Sequence, residues 1–402
     1  MENITSLRNQ TNLPRWFSSI WPMLENMKCG GLLITLPDER VFKVEGHLRG
    51  PTGDIVIHNN DLFGRLIREG ENGFCEAYMD AWWETSDLLN LLDVFLLNNN
   101  EIGNKFSGVF IVRIYERLRH WLNSNTKFQA KRNIAKHYDL GNDFYSKWLD
   151  ETMTYSSALF KNDSESLEQG QRNKYDSICE NLNLKTGDHV LEIGCGWGGF
   201  AEYAIKNRGL KVTGLTISKA QQEFAQKRLF DAGLADQANI ILKDYRNEKG
   251  IYDGIASIEM FEAVGEKYWP AYFQCLRECL KQGRNATMQI ITVTDDLFPV
   301  YRKNVDFIQK YIFPGGMLPC NKALEYEINK AGLVKVANLN FGLSYSKTLR
   351  IWHEKFNSVW SEIAMMNFDD RFRRMWNFYL ASCAAVFQSK TSDVIQLTVK
   401  KN

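Results

Sequence analysis

Leu191–Phe200 reads LEIGCGWGGF, with four glycines in six positions directly after an apolar run. Taken literally, Gly194-Cys195-Gly196-Trp197-Gly198-Gly199 is a G-x-G-x-x-G, the pattern that turns a strand into a helix around a dinucleotide. The pattern alone does not decide the ligand, because any sharp strand-to-helix turn favours glycine. Its surroundings decide the fold. HVLEIG, KVTGLTI, NIILKD, YDGIASIEM and NATMQIITV follow one another as short apolar strands with amphipathic helical stretches between them. Strands alternating with helices predict an α/β fold with a doubly wound, mostly parallel sheet. After the fifth strand come a long aromatic-rich helical insertion, LVKVANLNF, two helices rich in Trp and Phe, and DVIQLTVKK as a last strand, which makes seven.

Upstream the pattern differs. Residues 1–105 mix a short aromatic helix (PRWFSSIWPMLENM), strand-like GLLITL and GDIVIHN, and helical segments around CEAYMDAWWETSDLLNLLDVFLL, which predicts a smaller α+β domain. Residues 106–132 form a basic connector. From Lys105 to Arg132 the bases are Lys105, Arg113, Arg117, Arg119, Lys127, Lys131 and Arg132, against the single acid Glu116. The α/β domain then occupies 133–402.

Over the whole chain 49 Lys and Arg balance 48 Asp and Glu, so no global positive field points to a nucleic-acid partner. The eight cysteines make no C-x-x-C, and free thiols of a reducing cytosol are expected rather than disulfides or a zinc site. MENITSLRNQTNLPRWF has no basic stretch followed by an apolar one, so no secretory leader is expected. No apolar run approaches a membrane span.

In a dinucleotide fold an acid about twenty residues beyond the glycines binds the ribose. Here the second strand ends GLTISKAQQ, with no carboxylate at its tip. The acid is instead Glu192, inside the first strand, and acid-x-Gly-x-Gly-x-Gly resembles motif I of S-adenosylmethionine (SAM) methyltransferases. AKHYDLGNDFYSKWLDETMTYSSALF, LEIGCGWGGFAEYA, GLTISKAQQEFAQKR, IASIEMFEAVGEKYW and DFIQKYIFPGGMLP together resemble the cyclopropane fatty acid synthase family. The likeness continues through TLRIWHEKF and FYLASCAAVF, and EAYMDAWWE resembles the domain preceding the catalytic one in longer members.

The resemblance implies a Rossmann-like class I SAM methyltransferase domain whose helical insertion helps cover the acyl site. It implies that Gly194 and Gly196 approach SAM, that Tyr155 and Ser156 close over it, and that Thr216, Gln221 and Tyr245 reach its ribose and adenine. Thr216, Ser218 and Gln221 are equally placed to cap a helix. The implied reaction transfers a methylene to the cis double bond of a phospholipid acyl chain. It demands a dry tunnel, aromatic faces beside a cation, and one well-placed base.

In the family that base is a bound bicarbonate. Glu262 and Tyr345 match two of the residues that hold it, whereas Ser157 stands for the usual cysteine and Gln289 for the usual histidine. Ala263 replaces a further histidine. Ser and Gln still donate hydrogen bonds but do not titrate near neutral pH. His137 matches a histidine near the cofactor. The departures bear on the product, and a methylene- or methyl-branched chain is the alternative to a cyclopropane. A cytoplasmic enzyme at the inner face of the membrane is expected, with a homodimer allowed by the resemblance. GVFIVRIYERLRHWL, Gly108 to Leu122, has the apolar face and flanking bases of a bilayer-surface helix, and also those of a helix packed between domains.

Overall fold

A computed structural model describes residues 3–102 and 140–402 of the chain. The 106–132 connector, with Gly108 to Leu122, and His137 lie outside the described residues.

The chain divides into two compact units, and the division does not follow chain order. One comprises the described residues up to Ile102 together with Asn304–Ile312 and Trp360–Ser389. The other comprises residues 140–303, Phe313–Val359 and Lys390–Asn402. The helices Trp360–Ala364 and Asp370–Gln388, expected within the α/β domain, thus belong to the first unit.

In the first unit, β1 (Cys29–Thr35), β2 (Val41–Glu45), β3 (Leu48–Ile57) and β4 (Trp83–Glu84) form a sheet in the order β2-β1-β3-β4. VFKVE had not been read as a strand; it alternates half-buried and buried residues, the period-2 pattern of a one-faced strand. The helical segments expected around CEAYMDAWWETSDLLNLLDVFLL are present, separated by a short strand that the sequence reading did not include. The helix Asp61–Met79 stops, Ala81 takes a left-handed φ of 59°, and β4 intervenes before the helix Leu88–Leu97. Phe17, Trp21, Phe42 and Phe63 pack ring to ring at the centre of this unit, with Phe17 and Phe42 4.9 Å apart.

In the second unit, β5 (His189–Ile193), β6 (Lys211–Thr216), β7 (Ala238–Leu242), β8 (Gly254–Ile258), β9 (Asn285–Val293), β10 (Leu333–Asn340) and β11 (Ser392–Lys401) form one sheet. Its order is β10-β11-β9-β8-β5-β6-β7. The first five strands run parallel and β11 is antiparallel to both neighbours. All seven expected strands are present. One face is covered by a core that includes Trp269, Tyr272, Phe273 and Leu276 of the helix Trp269–Cys279. The other carries Tyr175, Ile178, Phe200 and Ala204 from the helices Leu167–Leu182 and Gly199–Arg208. Strand order reverses around β5, so the crevice beyond the carboxyl ends of β5 and β8 is where this topology binds ligands.

Candidate active site

The glycine turn lies at the end of β5. The Gly194 and Cys195 amides both donate to the Leu215 carbonyl of β6, at 3.0 and 2.9 Å, which bends the chain sharply out of the sheet. Gly194, Gly196 and Gly198 have φ of 83°, 51° and 83°, a region where side chains are strained. A Cβ on Gly194 would stand 2.6 Å from Met260 Cγ, whereas one on Gly196 would meet nothing within 4 Å. The turn is therefore packed on one side and open on the other, ahead of the helix Gly199–Arg208. Glu192 is 2% exposed, and its Oε2 has no hydrogen-bond partner among the described residues. Burial pushes its carboxyl up to about 8, with the nearby Lys174 opposing.

Beyond β6, the capping reading of the polar trio is realised. The Gln221 amide donates to Ser218 Oγ at 3.3 Å, and Thr216 Oγ1 donates to Gln221 Oε1 at 2.8 Å. All three are buried. Tyr245, after β7, packs edge-on against Tyr272, and its hydroxyl is buried without a hydrogen-bond partner among the described residues.

The segment before the sheet supplies an aromatic cluster. The Tyr155 ring lies 5.3 Å from Tyr145, 5.6 Å from Trp148, 5.5 Å from Trp352 and 6.5 Å from Phe313. Tyr345 lies 6.1 Å from Trp352 on the helix Gly342–Ser358. The Phe-Pro-Gly-Gly turn forms as expected, Gly316 donating to the Phe313 carbonyl at 3.0 Å.

Ser156 accepts at its hydroxyl from Lys174 Nζ, 2.7 Å away. Lys174 is wholly buried and also donates to Gln171 Oε1 at 2.6 Å. Burial lowers its ammonium to about 7 against the pull of Glu259, Asp150 and Glu192. Sequence reading missed Lys174. Its signal was position: in the helix Leu167–Leu182 it shares a face with Leu167, Gln171, Ile178 and Leu182, spacing that otherwise selects core residues.

Glu259 was missed as well, and the site turns on it. It follows β8 with φ 46°, a left-handed conformation that costs a non-glycine residue about 1–3 kcal/mol. Its amide donates to the Gln289 carbonyl at 2.9 Å, as expected from the pairing of Ile258 with Gln289. Its Oε1 accepts from the Ser157 amide and from Gln289 Nε2, both at 2.8 Å. The Tyr345 hydroxyl donates to the same carboxyl. Burial raises this carboxyl above its ordinary value, while Lys174 and these donors pull it back. Gln289 is itself oriented by Gln396, its partner across β9 and β11, at 3.2 Å. The Ser157 hydroxyl donates to the Ala158 carbonyl at 2.8 Å, so its backbone amide faces the carboxylate.

Three of the four positions expected to hold a bicarbonate thus converge on a carboxylate of the chain itself. The Ser157 amide and Gln289 Nε2 are already engaged by this carboxyl group, so these residues do not fit a bound bicarbonate. The fourth, Glu262, lies on the next turn: its Oε1 accepts from the Ile291 amide at 2.6 Å, and its Oε2 is buried without a hydrogen-bond partner among the described residues. Burial, and then the charge of Glu259, raise its carboxyl to about 8.

The sequence and the fold have known counterparts. Residues 125–397 match the mycolic acid cyclopropane synthetase family. The chain is 36% identical over 389 residues to the cyclopropane-fatty-acyl-phospholipid synthase of Escherichia coli, covering 92% of this chain and 95% of that one. It is 37% identical over 354 residues to the tuberculostearic acid methyltransferase UfaA1 of Mycobacterium tuberculosis, covering 86% and 82%. The crystal structure of mycolic acid cyclopropane synthase CmaA1 complexed with SAH and CTAB superposes with a TM-score of 0.64 at 28% identity, over 67% of this chain and 98% of that one. With a family match over most of the α/β unit and relatives aligned along nearly the whole chain, this protein belongs to the mycolic acid cyclopropane synthetase family.

Proposed function

We propose that the protein is a SAM-dependent methyltransferase that converts the cis double bond of unsaturated phospholipid acyl chains into a cyclopropane. The observation that carries this reading is the site itself: an open glycine turn at the end of β5 beside an aromatic cluster and two buried carboxyl groups, in a chain aligned along 92% of its length with a cyclopropane-fatty-acyl-phospholipid synthase.

S-adenosylmethionine supplies, when bound, a methyl group made electrophilic by its sulfonium. The residues present fit it. Gly196 leaves space beside the turn, and the orphaned Glu192 Oε2 and Tyr245 hydroxyl are polar atoms awaiting a partner. Gly194 and Gly196 admit it, Thr216 and Gln221 line its ribose side, and Tyr155 and Ser156 close over it. An isolated double bond is a weak nucleophile, and methyl transfer leaves a cation one carbon away. The faces of Tyr155, Trp148, Trp352 and Tyr345 stabilise positive charge while excluding water. Glu262, its carboxyl raised to about 8 by burial and by the charge of Glu259, places a polar group favoured in its neutral form beside Glu259 rather than a second charge.

A phospholipid substrate places the reaction at a bilayer surface; no helix among the described residues is long and apolar enough to cross a membrane. A methylene- or methyl-branched product is the second reading, favoured by Ser157 and Gln289 at the altered anion site and by the comparable identity to UfaA1.

The test is methyl transfer from SAM carrying a trideuterated methyl group to phospholipid vesicles, read as label in the acyl chains. Label is expected in cis-monounsaturated lipid and absent from saturated lipid. Equal label in both, or label only in headgroups, would refute the reading.

A further inference from the structure

We infer that Glu259 is the base of the reaction, its carboxylate standing where a bound bicarbonate would otherwise act. This rests on the methyl-transfer reading and goes beyond it by naming the proton acceptor.

Three features of the structure converge on this residue. First, the donors are spent on it: the Ser157 amide and Gln289 Nε2 each lie 2.8 Å from Glu259 Oε1, and the Tyr345 hydroxyl donates to the same group. Such a set is built to hold an anion, and here the anion is covalently part of the chain. Second, the backbone is distorted to deliver it. Glu259 has a φ of 46°, where glycine would be unstrained, and the following Met260 lies against Gly194 of the cofactor turn. Third, the two altered positions make sense together. A histidine at 289 would bring a titrating group to the carboxylate, whereas Gln289 donates at every pH and is fixed by Gln396. Ser157 contributes its backbone amide, for which the side-chain identity is immaterial.

The step balances without a further reactant. The π electrons of the double bond form a C–C bond to the transferred methyl carbon as the C–S bond breaks, its electron pair staying on sulfur. The neighbouring carbon is left cationic. A C–H bond of the transferred methyl then breaks, its pair closes the ring, and the proton passes to the Glu259 carboxylate. The same acceptor serves a methylene-branched product after a hydride shift, so the inference does not depend on which product forms.

The test compares wild type, Glu259→Gln and Glu259→Gly in buffer stripped of bicarbonate and in buffer with it added, with SAM binding and thermal midpoint as controls for folding. Wild type is expected to turn over equally in both buffers. Glu259→Gln is expected to bind SAM normally and lose at least about 100-fold in turnover, the usual worth of a positioned base. Glu259→Gly relieves the backbone and vacates the donors, so added bicarbonate is expected to restore part of its turnover. A readout without turnover accompanies these: carbon-13 bicarbonate should show line broadening with Glu259→Gly and none with wild type. Wild-type turnover that requires bicarbonate, or unimpaired turnover of both variants in stripped buffer, would overturn the role of Glu259 alone. No wild-type product even with bicarbonate would overturn the methyl-transfer reading and this role with it.

Discussion

Glu259 and Glu262 stand three residues apart after β8, yet their surroundings give them opposite tasks. Glu259 is wrapped in donors that favour its charged form. Glu262 has a single amide donor, from Ile291, and its burial beside the charge of Glu259 favours its neutral form. Glu262→Ala should therefore leave SAM affinity nearly unchanged while lowering turnover at least tenfold, measured by titration calorimetry and a rate assay on the same preparation; normal turnover would remove Glu262 from the mechanism. Glu192 makes a prediction about stability. Its carboxyl titrates near 8 in the fold against an ordinary value near 4.5, so the fold favours the protonated form. Its contribution is fully present below about pH 4.5 and is lost as pH rises towards 8, at most on the order of 1 kcal/mol per pH unit. Glu192→Gln should gain thermal stability relative to wild type as pH rises from 5 to 8, and a constant difference would contradict this. Sequence reading found Glu262, Tyr345, Ser157 and Gln289 because they stand in recognisable strings. It missed Glu259 because what marks that residue is a backbone amide from 102 positions away in the chain, which no string shows. Lys174 was legible in principle, as a charge on the apolar face of its helix.

At the scale of elements, the parallel strands β5, β6, β8 and β9 were legible because they are buried on both faces and read as largely apolar runs. β2 and β4 were not, since one is short and half-exposed and the other has two residues after a left-handed turn. The glycine turn carries a sharper test of its geometry. Gly194→Ala must place a methyl against Met260 and adopt φ 83°, and should destabilise the protein by about 1–3 kcal/mol. Gly196→Ala has free space, so it should cost less stability but project into the cofactor's side of the turn and weaken SAM binding at least tenfold. Thermal melts and SAM titration of the two variants check the pair, and equal melts with unchanged SAM affinity would contradict the assignment of the open side.

At the scale of the molecule, the N-terminal unit completes its core with helices from the far end of the chain. The helix Asp370–Gln388 packs against Leu88–Leu97 and Asp61–Met79, burying Trp376 and Phe378. A boundary drawn by chain order cannot show this, because the amphipathic pattern of that helix says only that one face is covered. A fragment of residues 140–402 should therefore expose that face, and is expected to bind a hydrophobic dye and aggregate where the full chain does not. The most direct test of the whole account is the identity of the product. Full-length protein, SAM and cis-monounsaturated phospholipid vesicles would be incubated together and the released fatty acids examined by proton NMR. The account predicts the high-field resonances of a cyclopropane methylene, whereas SAM binding without any modified acyl chain would contradict it.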